Sequence, residues 1–599
     1  MNSDYVYQDL PLGYIRLLHV FESGEGAARK LLDVDLRNAP QYFALSYTWG
    51  GQAPNETILC GGQNLKVTKN VRTVLSQLWT MNGEHLVWID GVCINQASNA
   101  EKSVQVPLMR EIYAGAVKVI IWLGKSTSLT DKGMDEIPSL MKKLDGFDGR
   151  LGSTPERLAS FQLPERLSDI WRGLYDLFSR EWFLRVWVFQ EAVLAKEIEI
   201  MCGCKTIAFE KLLAFVETLR DSNAIELIEK ETLGVSLPVA RAVLTLRLIA
   251  LHKRERSKKI NFLGLVKIGD RLLATDPRDK VYGFLGLADD QVREYIEVDY
   301  SKSPAEVYLE IARYSVETDA FLNILHDTER EEDIDDICPN LPSWCPNFNR
   351  SQKTSMLGLV STGFHARFRE QLRQNTEIPL YASVLDENVL LVQGFHVETI
   401  KRIENSAWRW WDNAPELEGK SSAGQSISWI AVCFETTRQI YSSQDEAIDA
   451  HSRTLIANTL KSKRCTSDVK GVYQLMKAVL AVKAPENWPL TSEESELMSA
   501  ITDPQWADVT DYMFTIHRTC ENRVFFSTAG SKVGLGPSRM RSGDLVYIIR
   551  NTLTPFVLRP VEGKPGYFQL IGEAYVHGLM YGEAFESFGK NEFKNLYLN

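Results

Sequence analysis

This 599-residue chain has no apolar run long enough to cross a bilayer. Its longest apolar stretches, such as Val117 to Leu123, fall far short of the roughly 20 residues a membrane helix needs. The opening MNSDYVYQDLPLG has acids early and no apolar core, so no signal peptide is expected there. Cysteine is sparse and odd in number, nine in all, with no C-x-x-C pair. Cys202-Gly203-Cys204 stands without nearby His or Cys partners, so neither a disulfide framework nor a metal site is expected, and the expected compartment is reducing and cytoplasmic. Basic blocks are equally scarce. The net charge is −11, and the run His252 to Lys259 reads as a solvated helix end, because a nucleic-acid patch needs a basic domain around it. There is no G-x-G-x-x-G after a first strand, which disfavours a Rossmann-type oxidoreductase. The histidines, His19, His85 and His252 among them, show no triad or metal spacing. No internal repeat is visible.

What is present is an ordinary globular composition, 44% hydrophobic and 24% charged, at a length that predicts three or four domains or one large one with extensions. Strand-like pieces at 14–18 and 31–34 precede a strand at 42–47. Gly61-Gly62 is a hairpin turn between Thr57–Cys60 and Leu65–Val67. Thr68 or Asn70 caps a helix running to Trp79, with Val71, Val74, Leu75 and Leu78 on one face. Leu86–Ile89 and Lys118–Leu123 are apolar strands, and residues 101–116 are a helix presenting Val104, Leu108, Met109, Ile112 and Ala116. Strands apolar on both faces that alternate with amphipathic helices predict a parallel sheet covered on both sides. Residues 125–165, rich in Gly, Ser, Pro and Lys, read as an insertion. A helical pattern returns from 171 and dominates 206–330, with helix starts at Asp276-Pro277 and at Ser303-Pro304-Ala305-Glu306. Residues 327–336 form an acidic loop. Four strands between 523 and 571, separated by Gly- and Pro-rich turns, predict a small β-barrel.

In a parallel α/β sheet, ligands sit beyond the carboxyl ends of the strands. The strand Phe43-Ala44-Leu45 ends in Ser46-Tyr47-Thr48-Trp49-Gly50-Gly51, and the next in Asp90-Gly91-Val92-Cys93-Ile94-Asn95-Gln96. With the later segment Trp182 to Glu191, these bring hydroxyls, carboxylates, a thiol, amides and tryptophans towards one rim.

The blocks FALSYTWG, LVWIDGVCINQ, QVPLMREIYAGAVKVIIWLG and REWFLRVWVFQEAVLA resemble, in order, those of the fungal heterokaryon-incompatibility (HET) domain over about residues 40–196. TDPRDKVYGFLGLA, LPSWCPNF and the C-terminal GLGPSRMRSGDLVYII…GEAYVHGLMYGE resemble the segments C-terminal to that domain in many fungal members, while 350–520 matches poorly. One departure is that the acid common soon after the INQ block is replaced by Ala97-Ser98-Asn99-Ala100, with Glu101 next. The HET domain is in turn similar to Toll/interleukin-1 receptor (TIR) domains, whose fold is flavodoxin-like and some of which cleave NAD with one glutamate. The position matching that glutamate is Glu191.

The resemblance implies a non-self recognition factor that triggers growth arrest or cell death and acts when assembled with itself or another incompatibility protein. It implies a HET (TIR-like α/β) domain at 1–200, a mainly helical region at 201–380, a mixed region at 381–520 and a small β domain at 521–599. NAD enters only as a possible substrate; no cofactor, metal, nucleic acid or membrane is expected. Glycosidic cleavage passes through an oxocarbenium-like state that one carboxylate stabilises. Glu191 would supply it, with Ser46, Trp49, Gly50, Asp90 and Arg185 lining the site: Trp49 stacking on a ring, Arg185 meeting a phosphate, the glycines admitting a ligand to the backbone. Each has a plainer alternative. Glu191 could pair with Arg185 or Lys196 on a helix surface, Asp90 could cap its own turn, Trp182 and Trp187 could be core, and Cys93 a buried inert thiol. The rival function is a non-enzymatic scaffold acting through protein contacts.

Overall fold

The structure, a computed structural model, describes the chain apart from residues 1–2, 24–25, 52, 79–83, 146–154, 223, 229–236, 256–260, 320, 330–337, 339, 350–355, 358–380, 405–421, 461–462, 466–467, 484–494, 497–502 and 585–592. The expected end of the first helix at Trp79, the tail of the basic run and most of the acidic loop lie outside the described residues. The chain forms two compact units, Met1–Ser303 and Pro304–Asn599.

The first unit is built on a seven-stranded sheet, β1 (Tyr14–Ser23), β2 (Gly26–Asp35), β3 (Phe43–Tyr47), β6 (His85–Trp88), β7 (Lys118–Trp122), β8 (Ile198–Cys202) and β9 (Lys205–Ala208), ordered β2-β1-β6-β3-β7-β8-β9. Strands β4 (Glu56–Cys60) and β5 (Gln63–Val67) form the separate hairpin around Gly61-Gly62. The expected all-parallel sheet is corrected to a mixed one. Strands β6, β3, β7 and β8 run parallel, whereas β1, β2 and β9 pair antiparallel. The cause is local at each edge. Residues 14–35 fold as a hairpin before joining β6, and β8 reverses into β9 through Gly203, which has a positive φ of 56°. The central parallel strands are buried along nearly all of β3 and β7, as their unbroken apolar runs require.

Helix α1 (Lys69–Leu78) starts where the Thr68 hydroxyl accepts from the Val71 N–H at 3.3 Å. The single-turn α2 (Asp90–Cys93) follows β6, and α3 (Asn99–Gly115) opens with the Ser98 hydroxyl accepting from the Glu101 N–H at 3.1 Å. The buried stripe of α3 is Gln105, Met109, Ile112 and Tyr113, and Val104, expected on it, is 45% exposed. One polar residue shifted the face: Gln105 Nε2 donates to the Tyr14 carbonyl at 2.9 Å and so turns inward. The stretch expected as an insertion instead carries α4 (Ser128–Leu144), capped by Thr127 and Thr130, with Met134, Ile137 and Leu140 buried. A short α5 (Pro155–Ser160) and α6 (Asp169–Phe178) come next. Helices α4 and α6 meet at Gly133 and Gly173, where a Cβ on Gly173 would lie 1.9 Å from the Leu129 carbonyl oxygen. Helix α7 (Trp187–Leu194) then packs on β3 and α3, and α8 (Phe209–Asp221), α9 (Leu237–Arg254), α10 (Phe262–Gly269), α11 (Asp279–Leu285) and α12 (Asp290–Tyr295) complete the unit.

In the second unit, a helix at Pro304–Thr318 begins at the expected start. Five strands, Leu390–Glu404, Leu545–Ile549, Phe556–Pro560, Tyr567–Glu573 and Lys594–Leu598, pair in a closed ring; a barrel forms as expected, but the strand expected at 523–526 lies outside it and Leu390–Glu404 and Lys594–Leu598 complete it. Arg523–Thr528 and Val533–Pro537 extend from the long strand. Barrel-side apolar residues such as Phe395, Val546, Val557 and Ile571 form one core. Helices Ser422–Arg438, Gln444–Leu455, Lys470–Lys483 and Asp503–Cys520 contribute to a second, around Tyr473, Met476 and Tyr512. Glu573 is buried in this unit among Arg523 at 3.1 Å, His326 at 2.6 Å and the Leu357 N–H. Burial alone would raise its carboxyl pKa, but His326 and Arg523 outweigh that and lower it.

Candidate functional site

Strand β3 sits between β6 and β7, so its last residues open at the middle of the parallel sheet's carboxyl edge. Ser46, fully buried, donates to the Glu191 carboxylate, and the Trp182 indole N–H donates to Ser46 Oγ at 2.7 Å. Both bonds form because Trp182 lies in a one-turn 3-10 segment, Glu181–Leu184, just ahead of α7, while Glu191 lies one turn into α7 on the face towards β3. Glu191 is 6% exposed. Burial pushes its carboxyl up to about 7; the Ser46 and Tyr113 hydroxyls and Arg185 favour the charge, and Asp90 opposes it.

The next strand end places Asp90 beside this pair. Asp90 is only partly buried, and its carboxylate accepts from the Gly91 N–H at 2.6 Å and from the Trp49 indole N–H at 3.1 Å. Burial raises its pKa, and Arg185 is the largest opposing influence. Asp90 therefore bonds the adjacent Gly91 N–H and also anchors Trp49. The Tyr47 hydroxyl is buried without a hydrogen-bond partner of good geometry and stands next to Asp90; a Cβ on Gly91 would come within 2.5 Å of it. Glycine at 91 is what lets this turn approach Tyr47. Gly50 and Gly51 both have positive φ, 61° and 63°, and turn the chain away immediately after Trp49.

Arg185 donates to the Tyr47 carbonyl at 2.6 Å, and its charge acts on Asp90, Glu191 and Asp279 together. Its backbone is pinned on both sides, since the Val186 N–H bonds the Leu273 carbonyl and the Leu273 N–H bonds the Leu184 carbonyl. Lys196 donates to the Gly115 carbonyl at 3.2 Å, so the surface pairing with Glu191 does not form. Of the sequence-named residues, Ser46, Trp49, Asp90, Arg185 and Glu191 are thus brought together, and Gly50 only shapes the turn beside them.

Several members escaped the sequence reading. Tyr113, from α3, donates to the Leu45 carbonyl at 3.1 Å and lies against Glu191. Trp182, expected as core packing, is fully buried and also a donor in the network. Asp279 accepts from the Tyr300 hydroxyl at 2.9 Å and from Trp187, and burial holds its carboxyl up to about 6. The only sequence signal was its place in the TDPRDK run. There Asp276 caps the Arg278 N–H at 3.0 Å, and the helix proper begins at Asp279, slightly later than expected. Glu101, five residues after the INQ block, accepts from the buried Arg16 guanidinium at 2.5 Å and from the Asn95 N–H at 2.8 Å. Cys93 is buried, as in the plainer reading, and burial pushes its thiol up to about 12. Among the described residues no His, Cys, Asp and Glu side chains cluster as a metal site, and no helix is long and apolar enough to cross a membrane.

The chain thus combines a carboxylate pair at the central strand ends of an α/β unit with a closed β-barrel further along. The model of the heterokaryon incompatibility (HET) family matches residues 42–191, which contain every sequence-named site residue, and that of the Het-6 beta-barrel domain matches 435–598; the chain is a HET-domain protein with a Het-6 barrel. It is similar to heterokaryon incompatibility protein 6, OR allele, of Neurospora crassa, with 24% identity over 92% of this chain and 91% of that protein. No solved structure matches it.

Proposed function

We propose that this protein is a fungal non-self recognition factor that triggers growth arrest or cell death, and that its HET domain does so by TIR-like cleavage of the nicotinamide glycosidic bond of NAD. The first half is supported by the family matches and by the name of the Neurospora relative. The second half rests on one observation: a buried glutamate at the central strand end, oriented by a serine and held near neutrality, with a second carboxylate and an arginine beside it. In the proposed step the ribose C1′–N bond breaks and its electron pair neutralises the pyridinium of nicotinamide. Glu191 stabilises the oxocarbenium-like ribose, and water adds its oxygen to C1′ while losing a proton to the carboxylate. The leaving group is already cationic, so no strong general acid is needed. Trp49 would hold a ring, and Arg185, bonded to the Tyr47 carbonyl, would keep its charge beside the carboxylates. The protein would act in the cytoplasm, once assembled with itself or with another incompatibility protein.

A specific observation favours the rival scaffold reading, in which output comes from protein contacts: Glu191 is nearly enclosed, and the Ser46 hydroxyl already occupies one of its oxygens. The two separate in one experiment. Full-length protein at high concentration is incubated with NAD beside a Glu191→Gln variant, with self-association measured in parallel. Loss of NAD with the parent and at least about a hundredfold less with the variant is the expected result. Equal loss with both removes Glu191 from its role, and no loss from folded, self-associated parent leaves the scaffold reading.

A further inference from the structure

Beside the carboxylate site, a cleft of about 420 Å³ opens between Thr48, the start of α1, the loop after β7 and the turn before Trp182. That size is within the range of roughly 300–1,000 Å³ usual for small-molecule sites. Its charge is one-sided. Lys69, Lys125 and Arg180 line it, with Glu181 as the single carboxylate. Among the described residues none of these three cations has an ion-pair partner. The Arg180 Nε and the Ser179 hydroxyl are buried and have no hydrogen-bond partner. Buried donors left unpaired and like charges drawn together both cost free energy unless an anion fills the space between them. Gly124, with a φ of 102°, keeps the loop after β7 clear of the Arg180 guanidinium, which would lie 3.5 Å from a Cβ placed there. A second, smaller cleft of about 310 Å³ shares Lys69, Thr73 and Lys125 and is otherwise charged only by Arg72 and Glu56, which pair with each other, so the unpaired cations of this surface are those of the larger cleft. Trp182 forms part of the larger cleft's wall, and its indole N–H is the donor to Ser46, which in turn donates to Glu191. The basic cleft is therefore one tryptophan away from the carboxylate.

We propose that this cleft seats the diphosphate of a nucleotide, with Lys69, Lys125 and Arg180 as its cationic contacts and the Ser179 hydroxyl as a further donor. That the anion belongs to a nucleotide rests on the glycohydrolase reading; that the cleft takes a phosphorylated anion does not. Arg185, expected from the sequence to meet a phosphate, is instead engaged with the Tyr47 carbonyl and the three carboxylates around it.

The test is calorimetric titration of full-length protein with ADP, inorganic pyrophosphate and adenosine, none of which carries the nicotinamide bond. ADP is expected to bind, more weakly as salt rises, and adenosine not to bind. Lys69→Ala/Lys125→Ala should weaken ADP at least about tenfold, and Lys69→Arg/Lys125→Arg should retain it; both lysines are exposed, so folding is not at stake. No ADP binding, equal binding by the alanine variant, or adenosine binding as well as ADP overturns the proposal. Pyrophosphate binding as tightly as ADP overturns its nucleotide part. NAD consumption by the parent with ADP binding unchanged in the alanine variant sinks this site alone, whereas ADP binding without any NAD consumption sinks only the glycohydrolase reading.

Discussion

At the scale of single residues, the decisive fact is that Glu191 was placed by its motif and its environment was not. The segment VFQEAVLA marks the position, but a helix-surface acid and a buried one read alike in sequence. Only the packing of α7 on β3 brings it to Ser46. The consequence is measurable. A carboxyl whose pKa is raised on folding, from 4.5 to about 7, binds more protons in the folded state than in the unfolded one across that window. Its contribution to stability is therefore intact below pH 4.5 and declines as pH rises through 7. The shift sets an upper bound of about 3 kcal/mol. Urea unfolding of the first unit at pH 5 and pH 8 should show the parent losing more stability on going up in pH than Glu191→Gln does, because glutamine keeps an acceptor for Ser46 and does not ionise. Identical slopes would mean that the carboxylate is already charged at pH 5. Asp90 and Asp279 are raised too and act in the same direction, so the variant is expected to keep part of the slope.

At the scale of elements, periodicity located most strands and helices of the sheet unit and misjudged what its polar exceptions do. Helix α3 was expected to bury Val104 and instead buries Gln105, a difference of about 100° round the helix decided by one hydrogen bond to Tyr14. The 125–165 stretch looked irregular because its glycines and Pro138 counted against a helix. In α4 and α6 the glycines are the contact surface, which a composition rule cannot see. Gly173→Ala should therefore act opposite to helix propensity. Alanine is the better helix former, yet the Cβ would meet backbone at 1.9 Å, and the variant is expected to lose about 3 kcal/mol in denaturant unfolding. Unchanged or increased stability would show that the two helices can separate at no cost. Helix α7 is secured in a similarly local way. Gln190 Oε1 accepts from the Gly286 N–H at 2.9 Å, Arg110 donates to the Gly286 carbonyl at 2.7 Å, and Lys253, from the basic run read as a solvated end, donates to the Ala195 carbonyl at 2.6 Å.

For the whole molecule, local signals were strongest where pairing is sequential and weakest where it is not. The strands read between 523 and 571 were legible because turns separate them, but only three of them enter the ring, and the strand that closes it together with Lys594–Leu598, Leu390–Glu404, lies more than 100 residues upstream in a stretch with no family-like motif. Its partners across that distance are fixed by the fold, not by anything adjacent in the chain. Removing residues 594–599 should then expose the Leu390–Gly394 edge, to which Lys594–Leu598 pairs. Limited proteolysis is expected to degrade the second unit of the shortened protein while a fragment of about Met1–Ser303 survives; survival of both units would show the ring to be dispensable.

The same closing strand sets an order of events during synthesis. Every residue of the sheet unit has been made by position 303, so the carboxylate network can assemble while the ribosome is still translating. The barrel has to wait for residues 594–598, at roughly 5–20 residues per second an interval of about 15–60 s. A nascent chain of this protein would therefore carry a finished HET domain before it carries a finished barrel. Any restraint that the barrel region exerts on that domain would begin only after synthesis has reached the last strand.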